Sequence, residues 1–534
     1  MSAKELKEAF VTGHTGATVH EVLLVCTSAP IGILLFHELR NYCRLSKFFQ
    51  NKNKELPISL LIAVESFTVL LPMAICQTEF LFPYGAIFLS EELLLGLLLF
   101  TYRRYFYEDR QGSSSTYTAT NSPSRETTIN MSSPRAFPLS PSSPISSKSS
   151  KPRIDFLTFY RSTVSYLTFV AILAVDFTIF PRSFAKTEVF GYGLMDLGAA
   201  SFCVSGGFVS WFSRGQTSKH IDAKRDKQDQ DNGRRFKKVI FHTIPLLFMG
   251  IIRLVTTKGL DYQEHVSEYG VHWNFFFTLA LVNIVSTGMR GYLKLRSPVL
   301  SWAFILVCFQ TILSLGNVQT YIQNAPRICE ERDSIWGDFF LCDFFASNRE
   351  GLLGSIGYLV IFLASEDIGK YCIWSVKRNQ TSTQGIRLFL VMVTFWLLHW
   401  VSSSTKIFGI TVSRRSTNAT FIFWVIAHNV TILLLVWLSF HFCSKGPINE
   451  SQTGRDLDRA INPPIFAAVN RHGLIIFIIA NLMTGAVNLS INTLEATKYE
   501  AVIVIFCYLC TIGGVAILVD NFYSFRTSLK KTKP

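Results

Sequence analysis

The stretch TFIFWVIAHNVTILLLVWLSFHF, residues 420–442, contains no Asp, Glu, Lys or Arg. About 20 apolar residues in an α-helix cross the hydrocarbon core of a bilayer. The segment must be helical there, because its backbone N–H and C=O groups find no water to pair with. The stretch therefore predicts a transmembrane helix, and YEAVIVIFCYLCTIGGVAILV at residues 499–519 predicts another.

Apolar runs of similar length recur along the whole chain. Of its 534 residues, 49% are hydrophobic and only 16% are charged, which is typical of a chain whose main solvent is lipid. We predict an all-α, polytopic transmembrane helical bundle with about thirteen spans. The predicted spans lie near residues 20–37, 56–77, 79–101, 155–174, 189–212, 238–257, 273–292, 297–317, 351–372, 386–403, 420–442, 468–488 and 499–519.

The basic residues indicate how the chain crosses the membrane. The net charge is +14, and Lys and Arg are spread through the segments that follow odd-numbered spans. This pattern is typical of cytoplasmic loops and not of a nucleic-acid-binding surface. The N-terminus is therefore predicted to be lumenal and the C-terminus cytoplasmic. The chain divides into a lumenal segment (1–19), three spans (20–103), a cytoplasmic loop (104–154), ten further spans (155–519) and a cytoplasmic tail (520–534).

Three of these segments carry additional signals. The loop 104–154 is rich in Ser, Thr and Pro and is predicted to be disordered, because it cannot bury a core. The predicted lumenal loop 318–350 holds Cys329 and Cys342, which can pair under oxidising conditions, the alternative being two free thiols. Asn418-Ala-Thr, in another predicted lumenal loop, is a candidate glycosylation site. The cysteines show no metal-type spacing, so no metal is predicted.

The first cluster of polar residues at the end of a span contains Asp176, Arg182 and Lys186, with Asp196 in the following span. Polar groups near membrane depth are costly and often mark functional sites. Pro181 is expected to stop the preceding helix, so the cluster would lie on a folded-back loop. A carboxylate and an ammonium held there suit acid–base chemistry. The alternative is that both residues only mark a helix end and reach towards water.

Further clusters lie towards the lumenal ends of other predicted spans. Histidines and carboxylates crowd residues 259–277, an Asn-Arg pair precedes the ninth span, and two Asn lie seven residues apart in the twelfth. These groups could transfer protons or bind sugar and phosphate, the alternatives being a solvated loop and helix–helix packing. The candidates are Arg253, Asp261, Glu264, His265, Glu268, His272, Asn274, Asn348, Arg349, Asn481 and Asn488.

Taken together, these stretches resemble a known family. The chain is similar to fungal members of the PIG-W family, the inositol acyltransferases of glycosylphosphatidylinositol (GPI) anchor biosynthesis. The resemblance implies transfer of a palmitoyl group from palmitoyl-CoA to the inositol 2-hydroxyl of glucosaminyl-phosphatidylinositol in the endoplasmic reticulum membrane, without a bound cofactor. The matching stretches are KEAFVTGHTGATVHE, AILAVDFTIFPRSFAKTEVFGYGLMDLG, LDYQEHVSEYGVHWNFFF, FFASNREGLLGSIGY, VSRRS, FWVIAHN and IIFIIANLMTGAVNLSINT.

The resemblance also implies that Asp176 and Lys186 form the catalytic pair. On this basis we expect Asp176 to be the general base on the inositol hydroxyl and Lys186 to stabilise the oxyanion or the substrate phosphate. His265, or Glu264 and Glu268, would hold the sugar or relay protons.

Acyl-CoA is made in the cytosol, so a tunnel open to the cytoplasm is expected. Arg290, Lys294 and Arg296 would lie near its mouth and meet the CoA phosphates. The alternative function is a lipid or solute transporter, which the number of spans alone would favour. A transporter should place its ionisable groups near the midplane of the membrane, whereas the candidates here lie at the ends of spans.

Overall fold

The computed structural model describes residues 10, 13–45, 56–79, 84–105, 154–214, 225–259, 266–292, 298–327, 339–376, 380–443 and 463–531. In these ranges the chain is mainly helical, and its β contact is one isolated bridge between Ala17 and Tyr192. The all-α prediction is confirmed. The long helices are α1 Val19–Leu45, α2 Ile58–Ile75, α3 Gly85–Arg103, α4 Asp155–Ala174, α5 Leu194–Phe208, α6 Arg225–Gly259, α7 Phe275–Tyr292, α8 Pro298–Leu315, α9 Arg349–Trp374, α10 Thr381–Ser403, α11 Ala419–Cys443, α12 Gly473–Ser490 and α13 Lys498–Lys531.

Each of the thirteen predicted spans overlaps one of these helices, but they differ in length and polarity. Among the described residues, eleven helices are long and apolar enough to cross a membrane, and α5 and α7 are not among them. Helix α5 has only 15 residues, because Asp196 caps its first turn and the chain before Gly193 is not helical. Helix α7 has 18 residues and includes Asn283 and Arg290. The protein is polytopic, as predicted, and the number of spans stays a prediction.

The central helices of the bundle are α9 and α11. In each, 78% of the apolar window is buried inside the protein, whereas the value for α6 is 11%. Helix α9 packs against α5, α7, α8 and α11. Its contact with α5 is close, because a methyl group added to Gly207 would lie only 2.6 Å from the Ser365 Cβ. The outer helices α3, α6 and α12 present apolar faces that suit lipid.

A short buried helix, Pro464–Arg471, precedes α12 and is anchored from α2. The two carboxylate oxygens of Glu65 accept hydrogen bonds from the N–H groups of Ile465 and Phe466, both at 2.8 Å. These two N–H groups belong to the first turn, where a helix has no backbone acceptors of its own. The short helix packs between α4 and α13 and leads the chain into α12.

The segments that follow even-numbered helices meet at one end of the bundle. Backbone hydrogen bonds join Glu79 to Ile179 at 2.7 Å, and Gly191 to Val412 and Val271 to Ser347, each at 3.0 Å. We call this the loop end, comprising residues 13–18, 176–193, 268–274, 347–348 and 410–418, and the opposite end the far end. The alternation of segments between two ends agrees with the prediction, and the lumenal assignment of the loop end stays a prediction.

Candidate active site at the loop end

Asp176 lies just beyond α4 and is held by α12. Its Oδ2 accepts a hydrogen bond of 2.6 Å from Nδ2 of Asn488, in the last turn of α12. The other amide atom, Oδ1 of Asn488, is buried without a hydrogen-bond partner among the described residues. The structure therefore brings together the first and the last of the predicted clusters, and the Asn488 amide fixes the orientation of the carboxylate.

Lys186 forms an ion pair with Glu268, the described carboxylate of the 259–277 cluster. The Lys186 side chain is 36% exposed and that of Glu268 only 10%. Burial raises the pKa of Glu268, but Lys186, Arg414 and Arg253 together outweigh it and bring the pKa to about 2. Glu268 is therefore ionised at neutral pH and holds the Lys186 ammonium in place.

Arg414 connects this ion pair to the start of α5. Its Nε lies 2.8 Å from Oδ1 of Asp196. Asp196 also accepts hydrogen bonds from Gly193 N at 3.0 Å and from Thr187 Oγ1 at 2.8 Å, and so caps α5. Burial lowers the pKa of Arg414, but Asp196 and Glu268 outweigh it and hold the pKa above its ordinary value. Asp196 is thus used to anchor the loop that carries Lys186.

A cavity of about 200 Å³ extends from these charged groups into the bundle. Its charged end is formed by Lys186, Asp196, Arg253, Glu268 and Arg414. Along α4 the lining residues run from Ile172 to Tyr160, which corresponds to about 18 Å of helix. Asn481, a predicted candidate, also lines it. The apolar part of the wall comes from Val164, Leu167, Ala171, Ile172, Leu194, Leu197, Phe202, Phe275, Ile432 and Phe477.

Arg182 closes the loop between α4 and α5. Its guanidinium donates three hydrogen bonds of 2.9 to 3.0 Å to backbone carbonyls of residues 175–180. Its Cζ also lies 4.0 Å from the centre of the Phe10 ring. Burial lowers the pKa of Arg182 to about 10, which leaves it charged at neutral pH. Arg182 therefore shapes the backbone that presents Asp176.

The predicted candidates around α9 have structural contacts. Arg349 is 2% exposed and donates hydrogen bonds to the carbonyls of Ile322 (3.1 Å) and Pro326 (2.8 Å). This geometry differs from the expected phosphate contact, because the guanidinium is turned towards the protein backbone. Oδ1 of Asn348 accepts a hydrogen bond of 2.7 Å from the N–H of His272, so these two residues join α9 to the chain before α7.

Asn274 and Asn418 both occupy helix starts. Oδ1 of Asn274 accepts from Phe276 N at 3.1 Å, at the start of α7. Asn418 is fully buried, its Nδ2 donates to the Thr411 carbonyl at 2.7 Å, and its Oδ1 caps α11. The amide nitrogen of Asn418 is buried and already used inside the folded protein, which argues against the predicted glycosylation.

Several predicted residues lie outside the described part of the chain. Cys342 is disulfide-bonded. Its pairing with Cys329 stays a prediction, because Cys329 is not among the described residues. The candidates Asp261, Glu264 and His265 also lie outside the described residues.

Arg290 lies at the far end, and its guanidinium is directed into the protein. It donates to Glu366 Oε2 at 3.1 Å and to Asp367 Oδ1 at 3.0 Å, and its side chain is 5% exposed. These contacts tie α7 to α9 and leave Arg290 unable to meet CoA phosphates, contrary to the expectation. Lys294 and Arg296 are outside the described residues.

Sequence reasoning missed Arg414 and Arg415 as components of the site. Arg415 contacts Oε1 of Glu350 at 2.8 Å, close behind the chain that carries Glu268. One signal was available, because two adjacent Arg in a predicted lumenal loop run against the preference of basic residues for the cytoplasmic side. Such cations must find carboxylates within the protein, and these two find Asp196 and Glu350.

Comparisons with known proteins agree on one family. The chain is 35% identical to GPI-anchored wall transfer protein 1 of Aspergillus oryzae, over 97% of this chain and 98% of the relative. It is 33% identical to the protein of that name from Gibberella zeae, over 98% of both chains. The relative from Yarrowia lipolytica is 34% identical over 68% of this chain and 72% of its own. The GWT1 family model matches residues 3–519, and the chain therefore belongs to the GWT1 family.

Proposed function

We propose that this protein is the acyltransferase that modifies inositol in GPI-anchor biosynthesis. The reaction would transfer a fatty acyl group from acyl-CoA to the inositol 2-hydroxyl of glucosaminyl-phosphatidylinositol at the endoplasmic reticulum membrane. Palmitoyl is the acyl group that we expect. The observation that carries the proposal is the cavity with Lys186 at its charged end and an apolar wall behind it, next to the loop that holds Asp176. The name of the relatives, GPI-anchored wall transfer protein 1, agrees with this pathway.

The chemical step requires a base and a positive group. The inositol oxygen forms a new bond to the thioester carbonyl carbon as Asp176 accepts its proton. The carbonyl oxygen becomes an oxyanion, which the Lys186 ammonium stabilises. When the C–S bond breaks, the CoA sulfur leaves as a thiolate and receives the proton from Asp176. Direct transfer needs no acyl-enzyme intermediate.

The neighbours of the pair support these roles. Asn488 donates to one oxygen of Asp176, which orients the carboxylate. Glu268 holds Lys186 at the end of the cavity, where a thioester would lie if its acyl chain filled the apolar part. A transporter would instead concentrate ionisable groups near the middle of broken helices. The charged residues of this cavity lie towards the ends of helices, which favours the enzyme.

The test is a transfer assay with purified protein, labelled palmitoyl-CoA and glucosaminyl-phosphatidylinositol. We expect a base-labile acylated product from the wild type and a loss of at least about a hundredfold in Asp176→Asn and in Lys186→Ala, because general bases and oxyanion donors are typically worth that much. Lys406→Ala, an exposed lysine in the chain between α10 and α11, is the matched control and should keep wild-type activity. Full transfer by either site variant would refute the assignment.

A further inference from the structure

The inner part of the cavity contains polar groups that the proposed chemistry does not use. Tyr160 and Thr163 on α4 face the cavity together with His428 and Asn429 on α11, and each is at most 2% exposed. We call these four residues the polar belt. Thr163 lies eleven residues before the end of α4, and His428 nine residues after the start of α11. The belt is therefore roughly 15 Å of helix away from the loop end.

Two members of the belt have unsatisfied side chains. Tyr160 donates to Oδ1 of Asn429 at 2.7 Å, and Nδ2 of Asn429 donates to the Val425 carbonyl at 2.8 Å. By contrast, both ring nitrogens of His428 and Oγ1 of Thr163 are buried without a hydrogen-bond partner among the described residues. A buried polar group without a partner is costly, so these two groups are expected to hold water in the cavity.

Between the charged end and the polar belt the wall is mainly apolar. Leu167 and Ala171 on α4 face this part of the cavity together with Phe202 on α5 and Phe477 on α12. The hydroxyl of Thr168, which also lines it, donates to the Val164 carbonyl at 2.9 Å and is satisfied within its own helix. The cavity thus consists of an apolar section with charged groups at one end and unsatisfied polar groups at the other.

We infer that the polar belt sets the length of the acyl chain that the cavity accepts, an inference that rests on the proposed function. With the thioester at the charged end, every methylene that enters the apolar section strengthens binding about fourfold. A chain long enough to reach the belt displaces its water and leaves His428 and Thr163 without hydrogen bonds, which weakens binding roughly 5- to 150-fold. Affinity therefore rises with chain length up to the belt and falls beyond it.

The test removes the polar atoms without changing the shape of the cavity much. The double variant Thr163→Val/His428→Leu is compared with wild type on saturated acyl-CoA donors that increase by two carbons at a time, and kcat/KM is measured for each. We expect the ratio between a donor longer than the wild-type optimum and the optimal donor to rise about tenfold or more. His428→Gln, which keeps a hydrogen-bonding group in the belt, should retain a profile close to that of wild type.

Two measurements keep the outcome unambiguous. The unfolding temperature of the double variant should equal or exceed that of wild type, because apolar groups replace unsatisfied polar ones, and this shows that the variant is folded. Competition by S-alkyl-CoA thioethers of the same lengths reports the length profile of binding without any transfer. An unchanged profile in the folded double variant would overturn the role of the belt. Absence of transfer by wild type with every donor would instead overturn the proposed function.

Discussion

Replacing Glu268 by Gln should weaken both the stability and the activity of the protein. The pKa of Glu268 is about 2 in the folded chain, compared with an ordinary value of 4.5. At about 1.4 kcal/mol for each tenfold change in proton affinity, the ionised carboxylate contributes about 3 kcal/mol to folding. The Gln side chain resembles the protonated acid and loses this contribution. Three cations, Lys186, Arg253 and Arg414, then remain around a neutral group.

The sign of the pH dependence follows from the lowered pKa. The contribution of Glu268 is complete above pH 4.5, the pKa of the unfolded chain, and disappears as the pH falls through the folded value of about 2. At pH 3 less than half of it, about 1 kcal/mol, should remain. The thermal unfolding temperature in detergent should therefore be lower for Glu268→Gln than for wild type at pH 7, and the difference should shrink at pH 3.

A matched control is Glu495→Gln, which changes an exposed carboxylate in the chain between α12 and α13. It should leave the unfolding temperature unchanged at both pH values. In the transfer assay Glu268→Gln should reduce kcat/KM at least tenfold, because Lys186 is no longer held at the end of the cavity. The reasoning is refuted if Glu268→Gln and Glu495→Gln unfold at the same temperature, or if the difference from wild type at pH 7 persists undiminished at pH 3.

Three further substitutions test the contacts around the site. Glu65→Gln should destabilise the protein by about 1–2 kcal/mol in a thermal or denaturant scan, because an amide has one acceptor oxygen for the two N–H groups of the short helix before α12 and turns its NH₂ donor towards the other. Arg290→Ala should lower the unfolding temperature, because it removes the link between α7 and the two carboxylates of α9. It should leave the KM for acyl-CoA unchanged. A raised KM would indicate that Arg290 contacts CoA after all. Arg182→Lys should lose most of the transfer activity while the protein stays folded. The reason is that one ammonium cannot reproduce the three hydrogen bonds of the guanidinium to the loop of Asp176. Wild-type activity in this variant would contradict the role of Arg182.

Hydrophobic runs were sufficient to predict the helices and their alternation between two ends. The same signal overestimates helix length where local chemistry intervenes, as in α5. The predicted span at 189–212 includes Gly191, whose φ of +130° is incompatible with a helix. It also includes Asp196, which caps the first turn of α5. Hydropathy reports the solvent that a segment prefers, whereas helix starts depend on caps and on glycine conformation.

The partners of the charged residues could not be predicted from the sequence. Asp176 and Lys186 are ten residues apart, but two of their partners, Asn488 and Glu268, come from α12 and from the chain before α7. The sequence shows that a polar group near the end of a span has a free-energy cost, but it does not show which distant group offsets that cost. For the same reason Arg349 and Arg290 were expected to bind ligands, although backbone carbonyls and carboxylates of the protein already satisfy them.

The distribution of charge at the loop end explains why both Asp176 and Lys186 would be needed. The charged end of the cavity has three cations, Lys186, Arg253 and Arg414, and two carboxylates, Asp196 and Glu268. If Asp176 takes the proton of the inositol hydroxyl, as proposed, its negative charge is lost just as a negative charge develops on the thioester oxygen. The net charge of the half-buried site would then stay constant during the transfer, so the surrounding apolar helices would not have to accommodate a new charge at the transition state.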